Sequence, residues 1–433
     1  MIWNEKFECM DREDLKNIQA ERLQEIVAYM EKNSSFYRKK FSQAGITSKD
    51  IKSIEDISKL PLTVKEDLRD NYPFGLFCLP LKDVAEIHVS SGTTGNPTVV
   101  GYAKEDIELW SEVMARTLCC AGAMPGDMLQ NAYGYGLFTG GLGLHYGALK
   151  MGMTILPCSS GQTKRQLKLM QDFKPRVLSC TPSYSLYMVD EAREMGIDPR
   201  QSSWQIGVFG AEPWSDSMRS EIEGIWNMLA TDIYGLSEII GPGVAQECQY
   251  KCGLHIYSDV FYPEVLDRQT GEPVVDGQEG ELVFTTLTKK AIPLLRYKTR
   301  DIVSIDHSPC KCGRTSPRIS KVRGRTDDMI IIRGINVFPS QIEHILLKIE
   351  ETEPHYQLVV DRKSGKLDDL EIRVEVAEKF FSDEIKKLRY IEEKIKKEIE
   401  SILGVFVKVT LVEPRSIARS EGKAKRVIDK RQV

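Results

Sequence analysis

Short apolar runs alternate with amphipathic stretches between about residues 86 and 300, and this alternation limits the folds open to the chain more than any other feature. Residues 163–173 and 184–195 repeat apolar side chains at helical spacing. Short apolar runs lie around them, at residues 154–156, 177–179 and 206–209. A chain in which short strands and helices alternate forms an α/β fold. Residues 281–287 predict one more strand, after the Gly-containing turn at 276–280.

Both ends of the chain predict elements outside this alternation. Residues 11–45 carry apolar side chains at three- and four-residue steps, which predicts helix. Beyond residue 326 the pattern predicts strand, helix, two strands, a charged helix at 383–403 and a final strand. We therefore predict a multidomain α/β protein with a large N-terminal domain of residues 1–326 and a small α+β C-terminal domain of residues 327–433.

Composition and charge exclude several classes of protein. The chain has 433 residues, of which 41% are hydrophobic and 28% charged, as in globular proteins with a large core. A formal net charge of −4 argues against a general nucleic-acid binder, whose surface is basic. The N-terminus lacks the pattern of a secretory signal, and no segment has the ~20 apolar residues of a membrane span. We expect a cytoplasmic protein with reduced thiols and with no nucleic-acid or membrane partner.

A cluster of hydroxyl and glycine residues follows the short alternating strand at residues 86–89. The cluster comprises Ser90, Ser91, Gly92, Thr93, Thr94 and Gly95. Glycines let the backbone approach a ligand, consecutive N–H groups form an anion nest, and hydroxyls add donors for phosphate oxygens. No lysine follows the second glycine, so the spacing differs from that of the Walker motif. Taken alone, the cluster favours a phosphate-binding loop over a flexible Ser/Thr/Gly turn.

Five Cys and His residues form two groups that are far apart in the sequence. Cys248, Cys252 and His255 make up the first group, and Cys310 and Cys312 the second. The tight Cys-x-Cys-Gly segment can aim two thiolates at one ion, and four Cys and His ligands suit structural zinc. We predict a Zn²⁺ site at Cys248, His255, Cys310 and Cys312, with Cys252 as an alternative ligand. The competing interpretation is a set of reduced, buried thiols.

Four further segments follow the Ser90–Gly95 loop in a fixed order. They are YGLSE at 234–238, RYKTRD at 296–301, GRTDDMIIIRG at 324–334 and RSIARSEGK at 415–423. Together with the loop they resemble the core motifs of the adenylate-forming superfamily of acyl-CoA synthetases, luciferases and peptide-synthetase adenylation domains. A closer resemblance, to the phenylacetate–CoA ligases of phenylacetate catabolism, rests on residues 131–141, 209–214 and 333–343 and covers essentially the whole chain. It implies the adenylate-forming fold, in which a small C-terminal domain moves against a large α/β domain.

The resemblance implies a site for ATP and Mg²⁺. Ser90–Gly95 would hold the β- and γ-phosphates, although Asn96-Pro97-Thr98 stand where many members carry a lysine. Glu238 would hold Mg²⁺, which prefers hard oxygen ligands, and would take part in catalysis. Asp301 would accept bonds from both ribose hydroxyls, beside Arg325. The implied adenine-pocket residues are Gly210, Ala211, Glu212, Pro213, Tyr234, whose ring would stack on the base, and Gly235.

The resemblance also implies a two-step reaction. The substrate carboxylate attacks the α-phosphorus of ATP, giving an acyl adenylate and pyrophosphate. The thiol of coenzyme A then attacks the acyl carbonyl, and AMP leaves. Lys423 would reach the α-phosphate and the carboxylate, where a cation offsets the negative charge that gathers during attack. Asp327 would be the hinge about which the C-terminal domain swings between the two steps.

The uncharged, Gly-rich residues 128–149 predict a loop. Its aromatic and glycine residues suit close packing against a flat aryl acid better than against a long fatty acid. The predicted acyl-site residues are Tyr133, Tyr135, Phe138, Gly140 and Gly141. The competing interpretation is that these aromatic side chains only fill the core. Phenylacetate, indoleacetate and hydroxyphenylacetate all stay open as substrates.

Two alternatives to an aryl-acid CoA ligase also stay open. The first is an adenylating enzyme that passes its acyl group to the phosphopantetheine arm of a carrier protein. The second is an inactive relative that serves as a zinc-stabilised binding module. The intact set of Glu238, Asp301, Arg325 and Lys423 weighs against the second alternative. A homodimer is an open hypothesis for the assembly.

Overall fold

The computed structural model describes residues 1–89, 96–137, 139–325, 330–332, 335–361, 369–380, 385–418 and 426–430. The chain forms two compact units. Unit 1 consists of Met1–Cys180, Ser202–Ala211 and Met228–Lys321, and unit 2 of Thr181–Gln201, Glu212–Asn227 and Val322–Val433. Two internal segments thus belong with the C-terminal residues. The domain boundary expected at residue 326 stays a prediction.

The α-helices described in unit 1 are α1 (Glu5–Glu8), α2 (Arg12–Asn33), α3 (Ser35–Ala44), α4 (Lys65–Asp70), α5 (Lys104–Cys120), α6 (Thr139–Met151) and α7 (Thr163–Phe173). Its strands are β1 (Glu86–Val89), β2 (Val99–Tyr102), β3 (Met128–Asn131), β4 (Thr154–Pro157), β5 (Val177–Cys180), β6 (Ile206–Gly210), β7 (Leu229–Leu236), β8 (Gly241–Glu247), β9 (Leu254–Ile256), β10 (Phe261–Leu266), β11 (Glu279–Thr286), β12 (Tyr297–Asp306) and β13 (Arg318–Ile319). Strands β1 and β2 form an antiparallel pair.

One large sheet joins the other strands of unit 1 in the order β10-β11-β12-β13-β9-β8-β7-β6-β5-β3-β4. The pairs from β4 through β3, β5 and β6 to β7 are parallel. From the β7–β8 pair to the β11–β10 pair at the other end of the sheet, all pairs are antiparallel. Every residue of β5 and β6 is buried. Parallel strands that are buried on both faces read as continuous apolar runs in a sequence. This pattern holds for the strands expected at 177–179 and 206–209, which are confirmed as β5 and β6. The strands expected at 154–156 and 281–287 are also confirmed, as the edge strand β4 and the antiparallel strand β11.

The prediction of a loop across residues 128–149 is wrong outside residues 132–137. Met128–Asn131 form β3 and Thr139–Met151 form α6, and residues 132–137 lie between the two. A Cβ atom added to Gly143 would lie 2.6 Å from the Trp110 ring, and one added to Gly147 would lie 2.4 Å from Cβ of Met114. Both contacts are with α5, so the glycines allow two helices to pack unusually closely. The glycine content that suggested a loop instead reflects helix packing.

The helix expected at residues 11–45 is confirmed as two helices. Ser34 separates α2 from α3, and its side chain accepts a hydrogen bond from the backbone N–H of Tyr37. A hydroxyl at this position satisfies one of the unpaired N–H groups at a helix start. The predicted apolar face of α2 is buried, and it packs in a core that also contains Leu287 and Leu295.

The α-helices described in unit 2 are α8 (Pro182–Glu194), α9 (Asp216–Trp226), α10 (Pro339–Leu346) and α11 (Ile385–Leu403). Its strands are β14 (Gly324–Arg325), β15 (Ile330–Ile332), β16 (Ile335–Val337), β17 (Thr352–Asp361), β18 (Asp369–Val376), β19 (Lys408–Val412) and β20 (Val427–Asp429). Four strands form a sheet in the order β19-β18-β17-β20. The α11 stripe at Ile391, Ile395 and Ile399 is buried in the core beside β17 and β18, as its periodicity predicts.

None of the helices among the described residues combines the length and the low polarity of a segment that crosses a membrane.

Candidate active site

The predicted nucleotide residues are divided among three parts of the chain. Ser90–Gly95, Asp327 and Lys423 lie outside the described residues, as does Phe138 of the predicted acyl site. Glu212, Pro213 and Arg325 belong to unit 2. The other predicted residues belong to unit 1, where their mutual geometry is defined.

Tyr234 of β7 and Asp301 of β12 are joined by a hydrogen bond. The Tyr234 hydroxyl donates to Oδ2 of Asp301 at 2.5 Å, although three strands separate β7 from β12 in the sheet order. The Asp301 side chain is buried, and its backbone N–H donates to Thr299 Oγ1 at 3.1 Å. The structure therefore places the predicted adenine-stacking ring and the predicted ribose acceptor side by side.

Both predicted nucleotide segments contain a strained backbone position. Ala211 has a φ of 67° and Arg300 a φ of 69°, in the left-handed region that side-chain-bearing residues rarely adopt. The Arg300 guanidinium is held by an ion pair with Glu66. Such strain persists only where the surrounding structure imposes it, and it concentrates at functional sites. At Gly210 a Cβ atom would lie 2.3 Å from the carbonyl oxygen of Ile233, so only glycine fits there.

Glu238 lies in the turn between β7 and β8 with its side chain largely buried. Its Oε1 is 3.9 Å from Nζ of Lys65 on α4. Nζ of Lys289 donates to the backbone carbonyl of Glu238 at 3.2 Å. The Lys289 side chain is fully buried over the Tyr102 ring, and this burial lowers the pKa of Lys289 to about 8. Two cations thus hold the turn that presents the Glu238 carboxylate.

Hydrogen bonds from neighbouring elements fix this turn in place. The Ser237 hydroxyl lies 3.1 Å from the Thr139 hydroxyl at the start of α6. The Tyr102 hydroxyl donates to the carbonyl of Ile240 at 3.0 Å, and the Trp110 indole N–H donates to the carbonyl of Pro242 at 2.9 Å. Gly235 must be glycine, because a Cβ atom there would lie 2.0 Å from the carbonyl oxygen of Gly241.

Glu212 has a structural partner in unit 2. Its carboxylate accepts a hydrogen bond from the backbone N–H of Ser183 at 2.8 Å, and it also contacts the Ser183 hydroxyl. Ser183 lies in the first turn of α8, where an acidic side chain is favoured by the unpaired N–H groups and the helix dipole. Arg325 is half-buried on β14.

Asn131, at the end of β3, organises the predicted acyl-site segment. Its Nδ2 donates to the Tyr135 hydroxyl and to the carbonyl of Gly141, both at 2.8 Å. Its Oδ1 accepts hydrogen bonds from the Tyr133 N–H at 3.3 Å and the Ser179 hydroxyl at 3.0 Å. One buried amide therefore ties together the strand end, the aromatic segment and the start of α6, which also contains Gly140.

Tyr135 and His145 form an uncharged pair next to this amide. The Tyr135 hydroxyl accepts from Asn131 and is 3.2 Å from Nδ1 of His145, with the two rings edge to face. Burial raises the pKa of Tyr135 to about 12 and lowers the pKa of His145 below its usual value. Both groups are therefore neutral near pH 7, which suits a wall that contacts an apolar aryl group.

Four of these residues were missed from sequence alone: Lys65, Lys289, Asn131 and His145. The two lysines lie outside the motifs, and nothing in their local sequence distinguishes them from surface lysines. His145 has no partner at ligand spacing. Asn131 is the first residue of one of the segments that resemble phenylacetate–CoA ligases, and its place in that segment was the available sequence signal.

Cys248, His255, Cys310 and Cys312 form a compact cluster in unit 1. Their ligand atoms all lie within 4.8 Å of one another. Cys248 Sγ is 3.8 Å from Cys310 Sγ, and Cys312 Sγ is 3.4 Å from Nε2 of His255. Cys248 follows β8, His255 lies on β9, and Cys310 and Cys312 lie in the turn after β12. The pairing of β8, β9, β13 and β12 brings these residues together.

The surroundings of the cluster orient its ligands. Nδ1 of His255 is 3.2 Å from the Ser316 hydroxyl, which leaves Nε2 directed at Cys312. Second partners of this kind fix the tautomer of metal-binding histidines. Hydrogen bonds with Cys248 and His255 hold the pKa of the Cys312 thiol below its usual value, so that sulfur favours the thiolate.

The N-terminal segment is fastened to the same turn. The buried Arg314 guanidinium donates from Nε to Glu8 Oε2 at 2.5 Å, and the Thr315 N–H donates to the Glu8 carbonyl at 3.0 Å. The Cys9 thiol donates to the Gly313 carbonyl at 3.3 Å. The cluster thus joins the sheet to the first residues of the chain.

Replacing Tyr234 by phenylalanine is expected to raise KM for ATP about tenfold with a smaller change in kcat. A hydrogen bond to a charged group contributes about 1.5–3 kcal/mol, and the lower end of this range corresponds to about a tenfold change in affinity. Steady-state kinetics with varied ATP measures the effect. The matched control is Tyr262→Phe on β10, at the far end of the sheet. An unchanged KM in Tyr234→Phe would show that other contacts orient Asp301.

The fold is that of an adenylate-forming enzyme, as comparisons with known proteins show. Residues 17–287 match the family model of AMP-binding enzymes, and residues 334–431 match the model of the AMP-binding enzyme C-terminal domain. The chain is 50% identical over the full length of both chains to a phenylacetate–coenzyme A ligase of Thermus thermophilus. It is 46% identical to one of Escherichia coli, covering 100% of this chain and 99% of that protein.

A solved structure of another acyl-CoA ligase has the same fold. A 2-hydroxyisobutyryl-CoA ligase bound to 2-HIB-AMP matches with a TM-score of 0.93 and 29% identity, covering 98% of this chain and 91% of that one. The chain belongs to the phenylacetate–coenzyme A ligase family. It is an ATP-dependent, AMP-forming acid–thiol ligase that converts a carboxylic acid to an acyl adenylate and then to a CoA thioester.

Proposed function

We propose that the acid is an arylacetic acid and that phenylacetate is the first substrate to test. The observation that carries this proposal is the aromatic segment held by Asn131, in which Tyr133 and Tyr135 are fixed beside the neutral His145. A rigid, uncharged aromatic wall suits offset or edge-on contact with an aryl ring. The names of the curated relatives support the same substrate class.

A panel of carboxylic acids tests the substrate class. We expect CoA-dependent AMP formation to be fastest with phenylacetate or a close aryl analogue, such as indoleacetate or hydroxyphenylacetate. A straight-chain fatty acid of similar length is the matched comparison. Preference for the fatty acid would reject the aryl assignment. AMP release that needs a carrier protein in place of free CoA would favour the alternative adenylating enzyme.

The proposed site uses the residues that the sequence singled out. Asp301 accepts the ribose hydroxyls and Tyr234 stacks on adenine, and Arg325 is a further proposed nucleotide-binding residue. The phosphates are held by the loop that lies outside the described residues. The adenine segment comprises Gly210, Ala211, Glu212, Pro213 and Gly235, the phosphate loop Ser90, Ser91, Gly92, Thr93, Thr94 and Gly95, and the acyl site Tyr133, Tyr135, Phe138, Gly140 and Gly141. Lys423 is the proposed catalytic cation and Asp327 the proposed hinge.

We propose that Glu238 binds the Mg²⁺ of MgATP. Its buried carboxylate sits in a turn fixed by four neighbouring elements, and a carboxylate oxygen is the ligand that Mg²⁺ prefers. When bound, Mg²⁺ neutralises phosphate charge as pyrophosphate leaves. Nζ of Lys65 lies 3.9 Å from Oε1 of this carboxylate, so a second positive charge is already close to the proposed metal ligand.

Glu238→Gln is expected to lower adenylate formation about 10²-fold, because it keeps the side-chain shape but removes the charge that binds the metal. ATP–pyrophosphate exchange at several Mg²⁺ concentrations measures the effect, and the defect should shrink as Mg²⁺ rises. Glu272→Gln, at an exposed position of unit 1, is the control. An equally large loss of exchange at every Mg²⁺ concentration would assign Glu238 a structural role.

We propose that the Cys/His cluster holds a structural Zn²⁺ through Cys248, His255, Cys310 and Cys312. In a tetrahedral site with Zn–S of about 2.3 Å and Zn–N of about 2.0–2.1 Å, neighbouring sulfurs lie about 3.8 Å apart and a sulfur and a nitrogen about 3.6 Å. The 3.8 Å and 3.4 Å separations in the cluster fit these edges. The Cys252 sulfur is only 3.3 Å from that of Cys310, which is closer than the about 3.8 Å expected between two sulfur ligands of one zinc ion. We therefore keep Cys252 outside the ligand set.

Use of ATP and coenzyme A also supports the expected cytoplasmic location, which we retain as a proposal. The homodimer stays an open prediction.

A further inference from the structure

We propose that Cys252 and Cys310 form a peroxide-sensitive thiol pair whose oxidation to a disulfide dismantles the Cys/His cluster. The part of this proposal that concerns metal release rests on the proposed zinc site. The part that concerns the disulfide rests on the positions of the two thiols alone.

The geometry places an exposed thiol next to a buried one. Cys252 is exposed, Cys310 is buried, and their sulfurs are 3.3 Å apart. The Cys252 sulfur is not part of the four-atom group that forms the cluster. Disulfide bond lengths are about 2.05 Å, so the sulfurs need to approach by only about 1.2 Å. Cys312 is half-buried, so Cys252 is the most exposed of these thiols and gives an oxidant in solvent the most direct access to the cluster.

The backbone around Cys252 holds this arrangement. The Lys251 N–H donates to the carbonyl of Cys248 at 2.9 Å, which closes the turn after β8. Arg318 Nη1 donates to the carbonyl of Cys252 at 2.9 Å. A Cβ atom on Gly253 would lie 2.9 Å from the carbonyl oxygen of Ile319, so the turn packs directly against β13. The Cys252 thiol is thus presented by a fixed turn.

The oxidation balances with a hydroperoxide as the oxidant. The Cys252 sulfur attacks one oxygen of hydrogen peroxide, the O–O bond breaks, and a sulfenic acid and one water form. The Cys310 sulfur then attacks the Cys252 sulfur, the S–O bond breaks, and the oxygen leaves as a second water. Two thiols lose two electrons and two protons, and the peroxide gains them.

The disulfide removes one of the four ligands of the cluster. With Cys310 bonded to Cys252, only Cys248, His255 and Cys312 are left to hold a metal ion. The new bond then ties the turn after β12 to Cys252 in place of the metal, which shifts this turn relative to the ends of β8 and β9. Because Asp301 lies on β12, oxidation is expected to weaken ATP binding until a reductant restores the thiols.

Peroxide titration of the purified full chain tests the pair. We expect peptide mapping without reductant to find the Cys252–Cys310 disulfide, and a colorimetric chelator to record zinc release in step with it. Cys252→Ser should keep its zinc and release it at least tenfold more slowly. Cys158→Ser, which removes a half-buried thiol outside the cluster, is the control and should behave as the unaltered protein.

Each outcome decides one of the two claims. A disulfide between other thiols, or zinc release from Cys252→Ser at the unaltered rate, overturns the pair. Loss of zinc from Cys252→Ser before any peroxide is added would make Cys252 a ligand and also overturns it. A Cys252–Cys310 disulfide in protein that contains no metal supports the pair and rejects the zinc site.

Discussion

Replacing Lys423 by alanine is expected to lower ATP–pyrophosphate exchange about 10³-fold while leaving the fold intact. Attack of a carboxylate on a triphosphate brings two anions together, and removal of one preorganised donor to such a transition state costs about 10²–10³-fold in rate. The phosphate loop carries Asn96, Pro97 and Thr98 where many relatives have a lysine, so the chain has fewer cations to substitute for Lys423.

The half-reactions separate the role of Lys423 from a general defect. If the lysine acts only in adenylation, Lys423→Ala should still form the CoA thioester from supplied acyl adenylate at a rate close to that of the unaltered enzyme. Lys425→Ala, two residues along the same basic tail, is the matched control and should have little effect. Unchanged pyrophosphate exchange in Lys423→Ala would reject its role.

Lys65 is the competing source of the productive cation. Its Nζ lies 3.9 Å from Glu238 Oε1, so it is already near the proposed Mg²⁺ ligand. Lys289 is a weaker candidate, because its ammonium is fully buried and donates to a backbone carbonyl. A large loss of exchange in Lys65→Ala together with a small loss in Lys423→Ala would transfer the main role to α4.

Removing the cluster metal is expected to lower the unfolding temperature by about 3–6 °C. The cluster joins β8, β9 and the turn after β12, and that turn holds the N-terminal segment through Arg314 and Glu8. A loss of about 3 kcal/mol is well below the gross binding energy of structural zinc. It corresponds to this shift at about 1–2 °C per kcal/mol, because the unfolding entropy grows with chain length and this chain has 433 residues. Thermal unfolding with and without a strong chelator measures the effect.

A ligand variant makes this test specific. Cys312→Ser should contain almost no zinc, unfold at the temperature of the chelated protein, and show no further shift with chelator. Cys158→Ser is again the control and should keep both its zinc and its response to chelator. Zinc-free protein whose unfolding temperature is unaffected by chelator would restore the interpretation of reduced, buried thiols.

Local pattern in the sequence determined most of the elements and the chemistry of their motifs. Apolar runs such as 177–179 predict buried strands because a parallel strand buries both faces, and the α11 stripe predicts a core helix because 3.6-residue periodicity places it on one side. Both signals depend only on near neighbours. The loop predicted at residues 128–149 was wrong for the part that forms α6, because glycine is common both in loops and in closely packed helices. Only the contact of α6 with α5 distinguishes the two cases.

The sequence by itself determined the family, the order of the motifs, and residue types suited to phosphate, ribose and metal binding. Only the tertiary structure decided which side chains meet. The bond from Tyr234 to Asp301, the bond from Ser179 to the Asn131 amide, and the lysines around Glu238 all join residues that are distant in sequence. The physical reason is that strand pairing and helix packing set these distances, and neither leaves a periodic signal at the residues that they bring together.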